Sequence, residues 1–584
     1  MKWILADHDA DSASRLAEEA SIHPLIARLL VSRGVSAAAG ARSFLFPDRS
    51  SLTSPLVFTG MEASVSRIRD AINSREQIVI YGDYDVDGVT GSAILYHTLR
   101  ELGASVRSYI PDRITEGYGL NKTALGSLAR SGVRLVITVD CGITAVDEAT
   151  AARNLGLDLI ITDHHESALI KGSGGPACAG LPAAFSVLHP ACLSPDLPAS
   201  TQEDLRNLTG AGVAFKLAQA LLGADPADPR ISQYLDLVTL GTVADMGRLT
   251  GENRVLVKQG LERLSSDGPG LRPGIVALKE VANLVGRRVT AGTVGFGLAP
   301  RINASGRLDR ADTAFQLLTT SDLDEARRLA ESLDEVNRQR QAMEEEIWTE
   351  ARELCLQANL RGTGAFVLAS ESWHPGVIGI VASRIVDEFY RPTALISLKD
   401  GVGKGSARSI PGFDLYGGLS RCSALLKGFG GHKYAAGLTV AEDRISELRG
   451  CLSDAVLDSL DAEGFVRKLT VDVPVTFSDL TLDLLRDLER MEPFGLGNPE
   501  PRFGAKHLEV QSLRSVGNGN RHLKMRLRQN GISLDAIAYG KAESMGEMLR
   551  NGCRIAAVFT PKINAWNGSV CIQLEIKDVK VEKN

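Results

Sequence analysis

Three short groups of carboxylate and imidazole side chains, each placed just after an apolar run, carry the chemistry legible in this chain. Asp83, Asp85 and Asp87 follow Gln77–Tyr81, Asp140 follows Leu135–Val139, and Asp163, His164 and His165 follow Leu159–Thr162. Oxygen and imidazole donors of this kind ligate divalent cations. Clustered carboxylates repel one another and take up protons unless cations neutralise them, so the first group alone predicts a metal site. Its opening, Asp83-x-Asp85-x-Asp87-Gly88, matches a calcium-binding EF-hand loop. That loop needs Glu at position twelve, which here is Ile94 inside an apolar helical pattern, so the calcium reading fails. A helix cap would explain one of the three aspartates and leave two unexplained. Adjacent histidines at a strand end point to opposite sides, so one of His164 and His165 is expected to face the metal. His164 lies 24 residues after Asp140, one strand–helix repeat later, and Asp245, ending Thr239–Asp245, is placed to close the shell. Mixed Asp and His ligation with open water positions suits Mn²⁺ or Mg²⁺ better than a closed zinc site. Two such ions ~4 Å apart serve phosphoryl hydrolysis.

The apolar runs that present these groups are short and β-branched, and they alternate with helical patterns. This predicts βαβ units with a parallel sheet, in which ligands gather at the carboxyl ends of the strands. The helical pattern Gly91–Leu102 stops at Gly103, and others cover Gly212–Leu222 and Ile231–Leu240. Residues 171–200, rich in Gly, Pro, Ala and Ser, read as an insertion or surface loop. Residues 321–358 contain neither Pro nor Gly and favour one long helix joining two α/β regions. In His522–Arg528 the apolar residues recur with period two, and similar runs follow, which suggests a small OB-type β-barrel. The expected architecture is therefore α/β: a helical lead-in (1–60), a parallel-sheet catalytic domain (61–320), a connecting helix (321–358), a second α/β domain (359–465) and a C-terminal OB-type β-barrel that binds nucleic acid (466–584).

At 584 residues the chain is too long for one core, and its composition is that of an ordinary globular protein. It has no apolar stretch of the ~18 residues that span a bilayer, and Asp7, His8 and Asp9 do not suit a secretory signal. The eight scattered cysteines, without a CxxC pair, suggest neither a disulfide framework nor a thiolate zinc site, and a cytoplasmic location is expected. The net charge of −6 hides an asymmetry: residues 501–584 hold 14 Lys and Arg against 7 Asp and Glu. A basic terminal module on an acidic body fits a polyanion touched at that end, although a solvated basic face without a partner would have the same composition. Aromatic residues there are few (Phe494, Phe503, Tyr539, Phe559, Trp566), so charge rather than stacking is expected to dominate binding by that module.

Together, Asp85–Gly88, Thr138–Gly142, Asp163–His165 and Gly241–Asp245 resemble the successive motifs of the DHH phosphoesterase superfamily. Pro300–Arg307 and Gly430–Gly437 resemble its later phosphate-contacting elements. Ile110–Arg113, Glu116–Gly119, Trp373–Gly379, Ser406–Phe413 and Phe494–Pro499 extend the likeness, from about residue 20 onward, to its single-strand-specific DNA exonucleases. The resemblance implies that Asp85, Asp87, Asp140, His164 and Asp245 ligate two Mn²⁺ or Mg²⁺ ions, with Asp140 bridging. It places Asp83 behind that shell and His165 beside the scissile phosphate. Arg301, Asn303 and Arg307 would orient phosphates or the metal shell, Arg113, Ser406 and Arg408 would grip a 5′-phosphate, and His432 would meet phosphate from the second domain. The implied activity is 5′-to-3′ degradation of single-stranded DNA to mononucleotides in repair and recombination, with a single-strand-binding protein and a RecQ-type helicase as partners and no membrane. A phosphodiesterase for short RNAs or cyclic dinucleotides is the rival that the basic module disfavours. A scaffold without activity is disfavoured because every ligand position is filled. One departure is His189-Pro190, where related chains commonly show Asn-Pro; it is not expected to touch a proposed ligand.

Overall fold

A computed structural model describes the chain except residues 114–115, 168–179, 269, 309–310, 359–361, 567–568 and 583–584. The first part of the predicted insertion, 171–179, thus lies outside the described residues.

Five parallel strands form the first sheet, in the spatial order Ser105–Tyr109, Gln77–Gly82, Leu135–Val139, Asp158–Thr162, Ser186–Leu188. The three apolar runs read from the sequence are the three middle strands, and all three are buried. The chain leaves Gln77–Gly82 for one neighbour and later returns on the other side as Leu135–Val139. This topological switch opens a crevice between the carboxyl ends of those two strands. The ladder continues just past the strands: Asp83 N donates to Val139 O (3.1 Å), Asp140 N to Thr162 O (3.0 Å) and Asp163 N to Leu188 O (3.2 Å). Three acidic residues are thereby held in one row by backbone bonds. Helices Val86–Glu101, Gly210–Leu222 and Leu235–Ala244 pack over this end in one apolar core.

Helix Leu323–Gln357 has 35 residues and is about 50 Å long at 1.5 Å per residue. Its first half buries Ala326, Ala330 and Leu333 in the core of the first domain, and its second half buries Ile347, Ala351 and Cys355 against Trp373 and Val377 of the next. In that second domain the strand order is Leu426–Gly431, Ala435–Ala441, Val402–Arg408, Thr393–Lys399, Phe366–Ser370. Only the last pair is parallel, so the sheet is mixed. Cys422 and Cys451 form a disulfide there, which their 29-residue separation concealed in the sequence.

The C-terminal strands close a barrel: Phe503–Val516 pairs with both His522–Gln529 and Arg554–Trp566, and Ile532–Ala538 and Ser569–Val581 complete the circuit. The lead-in does not stand apart. Helices Ala10–Ala20, Pro24–Val31 and Ala38–Leu45 share their core with this barrel, and strand Lys2–Leu5 pairs in parallel with Lys468–Val471.

Candidate metal centre

At the crevice the three predicted groups converge. Side-chain donor atoms of Asp83, Asp85 and Asp140, of Asp87, His164 and Asp245, and of Asp140, His164 and His165 form three sets, each within 4.8 Å. His164 Nε2 lies 3.0 Å from Asp140 Oδ1 and 3.7 Å from a carboxylate oxygen of both Asp87 and Asp245. Asp83, Asp87 and Asp140 are almost wholly buried. Local backbone explains the placement. Asp85 caps helix Val86–Glu101, its Oδ1 accepting from Asp87 N and Gly88 N. Asp140 holds a left-handed backbone at φ 63°, a strained conformation that turns its side chain sharply off the strand end. Two glycines let helices approach the carboxylates. A Cβ on Gly241 would sit 2.5 Å from Asp87 Oδ1, and one on Gly210 would sit 2.7 Å from Asp140 Cβ.

The electrostatics are those of a site lacking positive charge. Burial first, then the charge of Asp85, pushes Asp87 up to about 7 and Asp83 well above the carboxylate range. Burial and then Asp87 push Asp245 up to about 8 and Asp140 well above its ordinary value. Burial, with His165 beside it, holds His164 down to about 3, leaving a neutral imidazole. Asp83 Oδ1, Asp140 Oδ1 and His164 Nε2 are buried without a hydrogen-bond partner. A cluster this acidic, with lone pairs unspent and facing one another, fits divalent cations.

Asp163 differs from its neighbours. Burial is outweighed by the His165 hydrogen bond and charge and by the Ile143 and His165 backbone N–H groups, which hold it down to about 2. It accepts from His165 Nδ1 (2.8 Å), from the backbone of His164 (2.7 Å) and of His165 (3.1 Å), and from Ile143 N (2.9 Å). Asp163 therefore shapes the loop that presents both histidines. Two further supports were missed in the sequence. Tyr118 Oη donates to Asp140 O (3.2 Å) and packs edge-on against His165. Buried His189 braces the same loop: its Nε2 donates to His165 O (3.0 Å), while its Nδ1 accepts from Ala191 N. The unusual His-Pro pair was the one signal available.

A second group of predicted residues lies beside the acidic one. The Arg113 guanidinium stacks over the Tyr84 ring at 5.1 Å, Arg408 Nη1 donates to Ser406 Oγ (2.9 Å), and Arg307 Nη1 donates to Gly376 O across the domain junction (3.2 Å). Burial, then the charges of Arg113, Arg340 and Arg408, holds Arg307 down to about 10. Guanidinium groups that repel one another in a cleft make an anion site. Asn303 Oδ1 accepts from Val86 N (3.1 Å), fixing the acidic loop. Asp334 (2.8 Å) and Val281 O (3.5 Å) hold Arg301, as does Gly297 O, so in this structure it braces the long helix. His432 is exposed at a hairpin end, next to the strand end that carries Arg408.

The chain matches the DHH family N-terminal domain over residues 77–242, the DHHA1 domain over 362–457 and the RecJ OB domain over 471–578. It is 40% identical to the single-stranded-DNA-specific exonuclease RecJ of Bacillus subtilis strain 168, over all of this chain and 71% of that protein. Crystal structures of RecJ from Thermus thermophilus are similar throughout. The complex with Mn²⁺ gives a TM-score of 0.82 at 31% identity, covering 100% of this chain and 80% of that one. The complex with Mg²⁺ gives 0.76 at 30%, covering 100% and 79%. Acidic crevice, bridging helix and closed barrel thus occur together in a chain that belongs to the RecJ family of single-stranded-DNA-specific exonucleases.

Proposed function

We propose that this protein is a metal-dependent exonuclease that degrades single-stranded DNA from its 5′ end to mononucleotides, in DNA repair and recombination. The observation that carries this reading is the buried cluster of facing carboxylates and imidazole, with two oxygens and a ring nitrogen left unpaired, in a chain whose relatives are named for that activity. Asp85, Asp87, Asp140, His164 and Asp245 would hold two Mn²⁺ or Mg²⁺ ions. Asp140, common to two of the three donor sets, would bridge them, with Asp83 in support. Such ions supply Lewis acidity toward phosphodiester oxygens and favour ionisation of water.

The chain's own side chains do the rest. With Nδ1 committed to Asp163, His165 offers Nε2, which among the described residues only Tyr118 Oη approaches, at 3.5 Å, to the scissile phosphate. Arg113, Arg307, Ser406 and Arg408 bind the terminal 5′-phosphate, which sets the cut one nucleotide in. His432 meets backbone phosphate from the second domain, and the basic barrel feeds the strand toward the crevice. Among the described residues no helix is long and apolar enough to cross a membrane. A single-strand-binding protein and a RecQ-type helicase are the proposed partners and the cytoplasm the proposed location, both on the family resemblance.

Asp140→Ala tests the reading. It is expected to abolish release of nucleotides from a 5′-labelled single strand, and to lower the Mn²⁺ stoichiometry seen by calorimetry, without unfolding the protein. Undiminished turnover under saturating Mn²⁺ would refute the metal assignment. Equal degradation of blunt duplex, or digestion from the 3′ end, would refute the substrate assignment.

A further inference from the structure

The Cys422–Cys451 disulfide is the one covalent crosslink among the described residues, and what it encloses is informative. Between the two cysteines lie strand Leu426–Gly431, the turn with His432, strand Ala435–Ala441 and the start of helix Ile445–Ser459. The bond therefore brackets the hairpin that carries His432. Strand Leu426–Gly431 is the edge of its sheet, bonded only to Ala435–Ala441 in a ladder interrupted between Leu426 and Gly428. Three of its six residues are glycine, which weakens a strand. Such a segment opens locally before the rest of its domain.

Helix Leu415–Arg421 restrains this hairpin. Leu415 N donates to Lys433 O at the turn (2.9 Å), and the Tyr416 ring lies 5.5 Å from that of Phe429 in the edge strand. Cys422 directly follows the helix, so the disulfide pins its end to helix Ile445–Ser459. Arg421 also pairs with Asp458 of that helix (2.8 Å), but both side chains are exposed and such a pair adds little. Beyond shared apolar packing, the sulfur bond is the firm tie between the two helices. Its two sulfurs differ in access: Cys422 is buried, whereas Cys451 is only partly so.

We propose that this pair is a redox modification site, a thiol–disulfide switch that sets how tightly the second domain grips the DNA backbone. In the reducing cytoplasm, the location proposed above, disulfides are transient and serve as sensors rather than as permanent staples. A dithiol reductant attacks Cys451 Sγ, the accessible sulfur, as a thiolate. The bond to Cys422 Sγ breaks, and its electron pair leaves on Cys422, which takes up a proton. The second thiol of the reductant then displaces Cys451 as a thiol, and the reductant departs as a disulfide. Two electrons and two protons have passed to the protein; a disulfide oxidant reverses the steps. In the dithiol form the bracketed chain regains conformational freedom and the edge strand frays. His432 goes with it, as does the support that Ala435–Ala441 gives to the neighbouring strand bearing Ser406 and Arg408. This inference rests on the exonuclease reading and on the phosphate role given there to His432.

The test equilibrates the protein with dithiothreitol or with glutathione disulfide and counts thiols after denaturation. The oxidised sample should titrate two fewer than the eight cysteines of the chain, with peptides holding Cys422 and Cys451 joined in the mass spectrum. Reduction is expected to speed amide hydrogen exchange in residues 426–431 tenfold or more. It should raise KM for a 5′-phosphorylated 30-mer threefold or more, with kcat within twofold. Cys451→Ser should show the reduced-state exchange and KM under both treatments, which excludes the other cysteines as the cause. Equal KM or equal exchange in the two forms, a redox response retained in Cys451→Ser, or failure of the pair to form would each overturn the proposal. If exchange responds as expected while neither form cleaves the strand, it is the exonuclease reading that falls.

Discussion

His189 acts on the metal centre through one bond, from Nε2 to the carbonyl of His165. The residue is buried, so cutting it back to Ala would strand that carbonyl away from water, at a cost of about 1–3 kcal/mol. The loop carrying His164 and His165 would loosen. His189→Ala is therefore expected to lower kcat more than it raises KM, and to lower the melting temperature. His189→Asn, which keeps an N–H donor, should recover most of both. Equal kcat in all three proteins would show that the loop needs no such brace. The same locality decides which site residues could be read from the sequence. Asp85, Asp87 and Asp140 were legible because their strands are short, apolar and self-announcing. Asp163 could not be told from a ligand, since its role depends on which way a loop turns. The bond from Arg301 to Asp334 could not be seen in the sequence, because its partner lies 33 residues away, on the long helix.

Helix Val86–Glu101 serves the site with its first turn and the core with its last. Near its end, His97 donates from Nε2 to Leu318 O (3.1 Å) and lies against Tyr96 and Tyr234, with Arg272 and Asp236 as the charged groups close by. Burial, and then the charge of Arg272, holds this imidazole down to about 4. In the unfolded chain it titrates near 6.5, so between those values the unfolded state binds the extra proton. Stability should thus fall as pH drops from about 6.5 to about 4, by about 3 kcal/mol in total from this group, and show no further pH dependence from it outside that window. Urea midpoints measured from pH 4 to 8 for wild type and His97→Phe check this: the wild-type curve should fall more steeply, and parallel curves would exclude it. At the scale of elements the sequence was most legible where periodicity is local, as in the central parallel strands, the long helix and the barrel strand His522–Gln529. It was least legible where distant stretches pair. The mixed sheet of the second domain, the Cys422–Cys451 bond and the marriage of the first 45 residues to the barrel all depend on contacts that no window of sequence contains.

Across the whole molecule, the acidic crevice and the basic barrel must keep a fixed relation for one strand to engage both. Arg254 contributes directly: its guanidinium lies over the Phe44 ring at 3.8 Å and donates to the carbonyls of Phe44 (2.8 Å), Arg490 (3.2 Å) and Glu492 (3.0 Å), joining the first domain to the segments that flank the barrel. On the barrel, strand His522–Gln529 buries Leu523, Met525 and Leu527 and turns Lys524, Arg526 and Arg528 outward, a charged row made by period-two alternation. Arg526 is paired with Asp535 at 2.9 Å, whereas Lys524 approaches the same carboxylate only at 3.9 Å, so Lys524 and Arg528 are the more available charges. Each phosphate neutralised on a single strand contributes about 0.7 to the slope of log affinity against log salt. Replacing Lys524 and Arg528 together by Gln should flatten that slope by about 1.4, weaken binding of a 30-mer at low salt, and leave kcat at saturating DNA within twofold, because neither residue reaches the crevice. Fluorescence anisotropy between 50 and 300 mM KCl provides the measurement. An unchanged slope would mean that this face of the barrel is merely solvated and that the strand crosses the molecule by another route.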